Sequence, residues 1–177
     1  MHVRYSLAPL AISALFAAPA FASGLAVNIE IPRLNVSEYH RPYVATWIER
    51  ADNTVAGTLA VWYDVRVKTN NPEGEGTKWL KDMRQWWRRG GRELSVPVDG
   101  VTGATKPAGK HQLSFTEGTA PMPKLAPGAY KLVVEAAREV GGREVVSIPF
   151  QWPPTAAAQP TATGKEELGE IKLELKP

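Results

Sequence analysis

Apolar and polar residues alternate with a period of two along most of this chain, and that period admits few folds. Leu25, Val27, Ile29 and Ile31 alternate with Ala26, Asn28 and Glu30. Val44, Thr46 and Ile48 alternate with Tyr43, Ala45 and Trp47. Leu59, Val61, Tyr63, Val65 and Val67 alternate with Ala60, Trp62, Asp64, Arg66 and Lys68. Successive side chains of a strand point to opposite faces, so each run predicts a strand with one buried face. Leu113 and Phe115 mark a weaker strand over 111–115. Runs over 130–139 and 143–152 flank Val140-Gly141-Gly142, where glycine can supply the positive φ of a tight hairpin. Val146, Ile148, Phe150 and Trp152 share one face of the second run. Pro149 lies on the other face, which predicts an edge strand or a bulge. Residues 153–164 read as an aperiodic Pro/Ala/Thr loop, and Ile171, Leu173 and Leu175 as a last strand with Lys172 and Glu174 facing out. About seven strands joined by Gly- and Pro-rich turns predict an all-β, mainly antiparallel fold. The natural architecture is an immunoglobulin- or fibronectin-like β-sandwich. The Cys–Trp–Cys signature of such domains is absent, since the chain has no cysteine, so the topology stays open.

One segment departs from this period. Over 77–89, Trp79, Met83, Trp86 and Trp87 fall at i, i+4, i+7 and i+8, with Leu80 widening the stripe. Lys78, Lys81, Asp82, Arg84, Gln85, Arg88 and Arg89 fill much of the rest, and Gly90-Gly91 reads as a C-cap. A short amphipathic helix is therefore expected as an insertion between strands.

The first 22 residues read as a cleavable signal peptide. Arg4 is the basic start, the stretch 7–16 is the apolar centre, and Ala20-Phe21-Ala22 is a small-x-small cleavage site. The apolar stretch is short for a membrane span, which needs about 20 residues. One domain over 23–177, exported to the periplasm, is the expectation. The absence of cysteine excludes disulfide scaffolds, thiolate zinc sites, Fe–S clusters and c-type haem attachment. The formal charge is +3, of which Arg4 supplies one, and this is too small to argue for nucleic acid or for membrane binding by charge. His40 and His111 stand apart from any cysteine or paired carboxylates, so no metal-ligand pattern emerges. No P-loop, His-Glu-x-x-His or Gly-x-Ser-x-Gly is present.

The segment with chemical content is Asp99-Gly100-Val101-Thr102-Gly103-Ala104-Thr105. By composition it is a Gly-rich turn. It also resembles the acceptor motif of flavinylated extracytoplasmic proteins, Asp-x-x-(Ser/Thr)-Gly-Ala-(Thr/Ser), matching at Asp99, Thr102, Gly103, Ala104 and Thr105. In those proteins a flavin transferase moves FMN from FAD onto the last hydroxyl, which here implies Thr105. A threonine hydroxyl is a poor nucleophile at its free pKa, so the transferase must supply base and metal. What the acceptor supplies is access. Gly103 and Ala104 are small, and Thr102 and Asp99 can hold the turn through bonds to backbone N–H groups. More widely, the chain resembles the predicted periplasmic proteins of domain-of-unknown-function family 2271. The anchors are Trp47-Ile48-Glu49, Trp79 to Trp87 with its basic partners, the acceptor segment, and Gly128-Ala129-Tyr130. That resemblance implies periplasmic electron transfer with two partners, a flavin transferase and a PepSY-type membrane protein.

Isoalloxazine is planar and electron-poor, so Trp79, Trp86 or Trp87 is a candidate stacking face. Arg88, Arg92 and Lys106 are candidate counter-charges for the phosphate or the reduced ring. The same aromatic stripe also suits plain core packing. Two other functional classes remain open. One is a non-redox binding module using the Trp/Arg helix, which a buried Thr105, or three indoles exposed as one patch, would favour. The other is an enzyme whose catalytic groups converge only in the fold.

Overall fold

The computed structural model describes residues 23–66 and 75–177. The expected leader over 1–22, and Val67 and Lys68 at the end of the third run, lie outside those residues. Among the described residues there are nine strands rather than the expected seven or so: β1 (Gly24–Ile31), β2 (Tyr43–Arg50), β3 (Val55–Tyr63), β4 (Thr102–Ala104), β5 (Gly109–Thr116), β6 (Gly128–Ala137), β7 (Arg143–Trp152), β8 (Thr161–Thr163) and β9 (Glu170–Lys176). They form a four-stranded sheet, β5-β1-β9-β8, and a five-stranded sheet, β4-β3-β2-β6-β7. The pairs are antiparallel except β3–β4, which is parallel. The two additional strands are short. Three residues give no readable alternation, so β4 lay hidden in the Gly-rich motif and β8 in the Pro/Ala/Thr segment. Pro149 sits on β7, an edge strand, where a proline is tolerated.

The main core lies between the sheets. Leu25, Val27, Ile29 and Ile31 of β1 meet Leu132, Val134 and Ala136 of β6, and Ile148, Phe150 and Trp152 of β7. Ile171, Leu173 and Leu175 close it from β9, as their spacing predicts. Tyr130, near the start of β6, donates its hydroxyl to Ala126 O at 2.8 Å, pinning the corner that precedes the strand.

The expectation of one buried face fails for the five-stranded sheet. Its central strands β2 and β6 are buried almost throughout. Ala45, Trp47, Val61, Tyr63 and Val133 form a second core on the outer face, packed under Leu80, Met83 and Trp86 of the inserted segment. The insertion is thus the lid of a second core. It also provides the long crossover that a parallel β3–β4 pair requires. A bulge explains a related mismatch. Thr46 pairs with Ala60 and Trp47 with Thr58, so Leu59 is an extra residue in β3. Leu59 faces the inter-sheet core, whereas Val61 and Tyr63 face the second core, and the strand stops at Tyr63.

The insertion is not one helix. A 3₁₀ segment over Thr77–Asp82 breaks at Met83, α1 spans Arg84–Arg89, and a second 3₁₀ turn covers Gly91–Glu93. The start of α1 is set by Glu135, wholly buried on β6, which accepts Trp86 N–H at 2.7 Å and Gln85 N–H at 3.1 Å. Arg143 Nε donates to the same carboxylate. The predicted Gly90-Gly91 C-cap has another basis. Gly90 has an extended φ of 178°, and a Cβ at Gly91 would stand 2.6 Å from the Trp86 indole. The hairpin after β6 also differs from expectation. The positive φ belongs to Val140, at 51°, while Gly141 and Gly142 leave room for Arg138 and Glu167.

Two substitutions test these readings by thermal denaturation. Val140→Asn relieves a β-branched residue in the left-handed region and raises stability by about 1 kcal/mol, a Tm increase of roughly 2–4 °C at this size. Gly91→Ala pushes into the fully buried Trp86 ring and lowers stability by about 1–3 kcal/mol.

Candidate functional site

The motif at 99–105 is a turn that feeds β4. Val101 N–H and Thr102 N–H both donate to Val98 O, at 3.1 and 2.9 Å. Thr102 closes the turn as its hydroxyl accepts from Val98 N–H at 3.1 Å and donates to Val98 O at 3.0 Å. Gly100 takes φ +74°, which a side chain rarely adopts. Val101 plugs into the second core and its carbonyl accepts Val61 N–H at 2.8 Å. β4 then runs beside β3, with Gly103 opposite Trp62 and Ala104 opposite Tyr63. The next amide, Thr105 N–H, donates to Tyr63 O at 3.1 Å. The result is a fixed main chain carrying an exposed Ala104 and a half-exposed Thr105. Asp99 is exposed, and the side-chain clamp of the turn is made by Thr102.

Ala104 and Thr105 line a cavity of about 680 Å³, within the usual 300–1,000 Å³ of small-molecule sites. Its aromatic walls are Tyr39, Tyr43, Tyr63 and Trp79, and its cations are Arg41, Arg66 and Arg138. Asp64, Asp82, His40 and Glu139 complete the polar lining. Several of these acids and bases are already engaged. Asp64 binds Arg66 at 2.6 Å, and His40 contacts Glu38 at 2.7 Å and Glu139 at 3.6 Å. Burial pushes the Tyr43 phenol above its ordinary pKa, against the lowering effect of its hydrogen bond with the Asp64 backbone. It therefore offers a neutral hydroxyl.

Arg138 is the least conventional member. Its side chain is 6% exposed and its Nε and Nη2 bind Glu167 at 2.8 and 3.0 Å, while Tyr39 lies 6.0 Å from the guanidinium carbon. Nη1 is buried and has no hydrogen-bond partner among the described residues. A buried donor left unpaired costs about 1–3 kcal/mol, and this one has no surface that a cavity occupant could reach. Arg138 is held in turn from beneath. Glu144 accepts the N–H groups of Lys165, Glu166, Glu167 and Leu168, fixing the turn that presents Glu167.

The other sequence candidates separate. Trp86 is wholly buried, with its Nε1 donating to Thr58 Oγ1 at 3.3 Å, so it presents no face to a ligand. Trp87 is half-buried against the second core. Trp79 alone of the three is substantially exposed, at 45%, and it lines the cavity. The indoles therefore do not form one exposed patch. Arg88 and Arg92 point along the insertion, donating to Arg84 O and Arg88 O, and neither lines the cavity. Lys106 lies 5.5 Å over the Trp62 ring, and His111 packs edge-on against that same ring. The cavity's Tyr39, Arg41, Tyr43 and Arg138 escaped the sequence reading. Tyr43 and Arg138 were legible only as members of strand runs, and Tyr39 and Arg41 precede the second run with no period to flag them.

The lining combines aromatic faces with charged side chains of both signs in a space within the usual range of small-molecule sites. Among the described residues no group of three or more His, Asp or Glu is placed to hold a metal. No helix of the described residues is long and apolar enough to cross a membrane. The family model described as "Predicted periplasmic protein (DUF2271)" matches residues 24–170. No curated protein and no solved structure matches the chain.

The Glu144 clamp gives a pH prediction. Burial alone would raise its pKa, but four backbone donors outweigh that and hold it below the ordinary value. A folded pKa below the unfolded one stabilises above the unfolded pKa, and that contribution is lost as pH falls through the folded value. Glu144→Gln therefore lowers the urea midpoint at about pH 7, and the difference from wild type shrinks towards about pH 3. Denaturation series across that range measure both.

Proposed function

The chain belongs to the DUF2271 family of predicted periplasmic proteins, and from that premise we propose that it is a periplasmic electron-transfer protein carrying FMN covalently on Thr105. One observation carries the reading. Thr105, the last residue of the acceptor motif, is half-exposed on a hydrogen-bonded main chain, at the wall of a cavity lined by aromatic and charged side chains.

The attachment step balances as a phosphoryl-group transfer. Thr105 Oγ forms a bond to the phosphorus of the FMN half of FAD, the diphosphate P–O bond breaks, and AMP leaves. The hydroxyl proton passes to a base of the flavin transferase. Thr102 and Gly100 keep the turn in one shape, and Ala104 leaves the approach clear. Asp99, which the fold does not use, is free to be read by the transferase. Once attached, the flavin supplies one- and two-electron chemistry. The protein's own groups then set its environment. Arg41, Arg66 and Arg138 are matched in the cavity lining by Asp64, Asp82 and Glu139, and Arg66 and Arg138 are each held in an ion pair, with Asp64 and Glu167. The partners in this reading are the flavin transferase and a PepSY-type membrane protein that exchanges electrons with the carrier.

An immunoglobulin-like ancestry of the sandwich belongs to the same reading. The order β3-β2-β6-β7 corresponds to a C′-C-F-G sheet, and β1 pairs with β5 as B pairs with E, with β9 taking the outer place beside β1. The Tyr130–Ala126 bond supports it, being placed as a tyrosine corner is.

The test is intact mass after co-expression in a periplasm with a flavin transferase. Wild type gains the mass of FMN less water and becomes fluorescent, and Thr105→Ala gains nothing. Asp99→Ala keeps its stability within about 0.5 kcal/mol yet loses most of the label. An unmodified wild type, under conditions that label a known acceptor, removes the carrier reading.

A further inference from the structure

Trp79 and Tyr39 are large aromatic side chains left 45% and 39% exposed, and both line the cavity that Thr105 also lines. Exposed aromatics are ordinary when scattered, but convergence on a concave site is the arrangement by which proteins hold planar ligands. Each is paired with a cation. Lys78 Nζ lies 5.3 Å from the Trp79 ring centre, and the Arg138 guanidinium carbon 6.0 Å from that of Tyr39. The Arg138 guanidinium is held in one orientation by its bidentate bond to Glu167. Tyr39 is the side chain lying over that guanidinium, and it belongs to a segment between β1 and β2 outside both sheets. At the rim, Val140 is 72% exposed and held at a positive φ, an apolar contact standing where a ring would leave solvent.

We infer that this cavity is a non-covalent seat for a planar, electron-poor heteroaromatic ring, stacked on Trp79 and Tyr39. The inference rests on the carrier reading for the identity of the natural occupant, which is then the ring tethered to Thr105 by its own ribityl phosphate. The tether also sets how strong the seat must be. A short flexible link gives an effective concentration in the millimolar range. A seat that binds the free ring with a dissociation constant below about 1 mM therefore keeps the tethered ring docked most of the time. Tight binding is not required, and that fits a cavity open to solvent with exposed aromatics on its wall.

The seat is measured without any covalent attachment. Thr105→Ala protein is titrated with riboflavin, which lacks the phosphate, and flavin fluorescence is followed. Stacking on an indole or phenol quenches that fluorescence. Saturable quenching with a dissociation constant below about 1 mM is expected. Adding Trp79→Ala weakens binding roughly tenfold or more, the usual size of a lost aromatic stack. Adding Lys81→Ala, on the same 3₁₀ segment but away from the cavity, leaves it unchanged. Absence of saturable quenching, or equal quenching with and without Trp79, overturns the seat. The two proposals fail separately. Attachment at Thr105 with no riboflavin binding keeps the carrier and removes the seat, whereas riboflavin binding with no attachment keeps the seat and removes the carrier.

Discussion

A carboxylate buried in the middle of a sheet organises this molecule. Glu135 is wholly inaccessible, yet it accepts two amides at the start of α1 and the guanidinium of Arg143. Such a charge is tolerated only with its lone pairs satisfied, and removing one partner of a buried pair costs about 3–5 kcal/mol. The consequence reaches well beyond β6. By fixing the first turn of α1, Glu135 sets Trp86 and Met83 against Trp47, Val61 and Val133, and so creates the second core. Glu49, the other buried acid on that face, accepts Trp47 Nε1 at 3.0 Å and lies near Lys131 and Arg89. Two carboxylates thus hold a basic insertion onto an apolar sheet.

The candidate site inherits its geometry from that insertion. The crossover returns the chain to the edge of β3 in parallel, and only this return places 102–104 as a strand rather than as a loose turn. Val101, buried in the second core, anchors the motif at one side, and Thr102 clamps the turn at the other. Thr105 is then the first residue past β4, still held by its amide but with a half-exposed side chain. The opposite wall is built by a separate chain of contacts. Glu144 holds the 165–168 turn, that turn presents Glu167, and Glu167 orients Arg138. Each link is a charged group satisfied by fixed donors, so little freedom is left at the end of the series.

Much of the fold was legible in the sequence because its strands are amphipathic. β1, β7 and β9 bury Leu25, Val27, Ile29, Ile148, Phe150, Ile171 and Leu173 on the faces their alternation marks. The helical spacing of Leu80, Met83 and Trp86 likewise marked residues that are buried, although the segment is broken at Met83. The segment 99–105 was visible as a motif, and of the two residues expected to hold its turn Thr102 occupies the clamping place while Asp99 is exposed. Trp86 and Arg88 were assigned towards a ligand because spacing gives the residues sharing a stripe, and not which of them the sheet covers.

Alternation determined, from sequence alone, that this chain forms a sandwich of strands, because side-chain direction in a strand is local and follows from the backbone. It did not determine that the five-stranded sheet is buried on both faces. That required an insertion to fold back, and a bulge at Leu59 to shift the phase of β3. The cavity is decided by tertiary structure altogether. Tyr39, Trp79, Thr105 and Arg138 come from four separate segments. No local rule links them, since what brings them together is the pairing of β3 with β4 and the burial of Glu135 and Glu167, interactions between residues far apart in the chain.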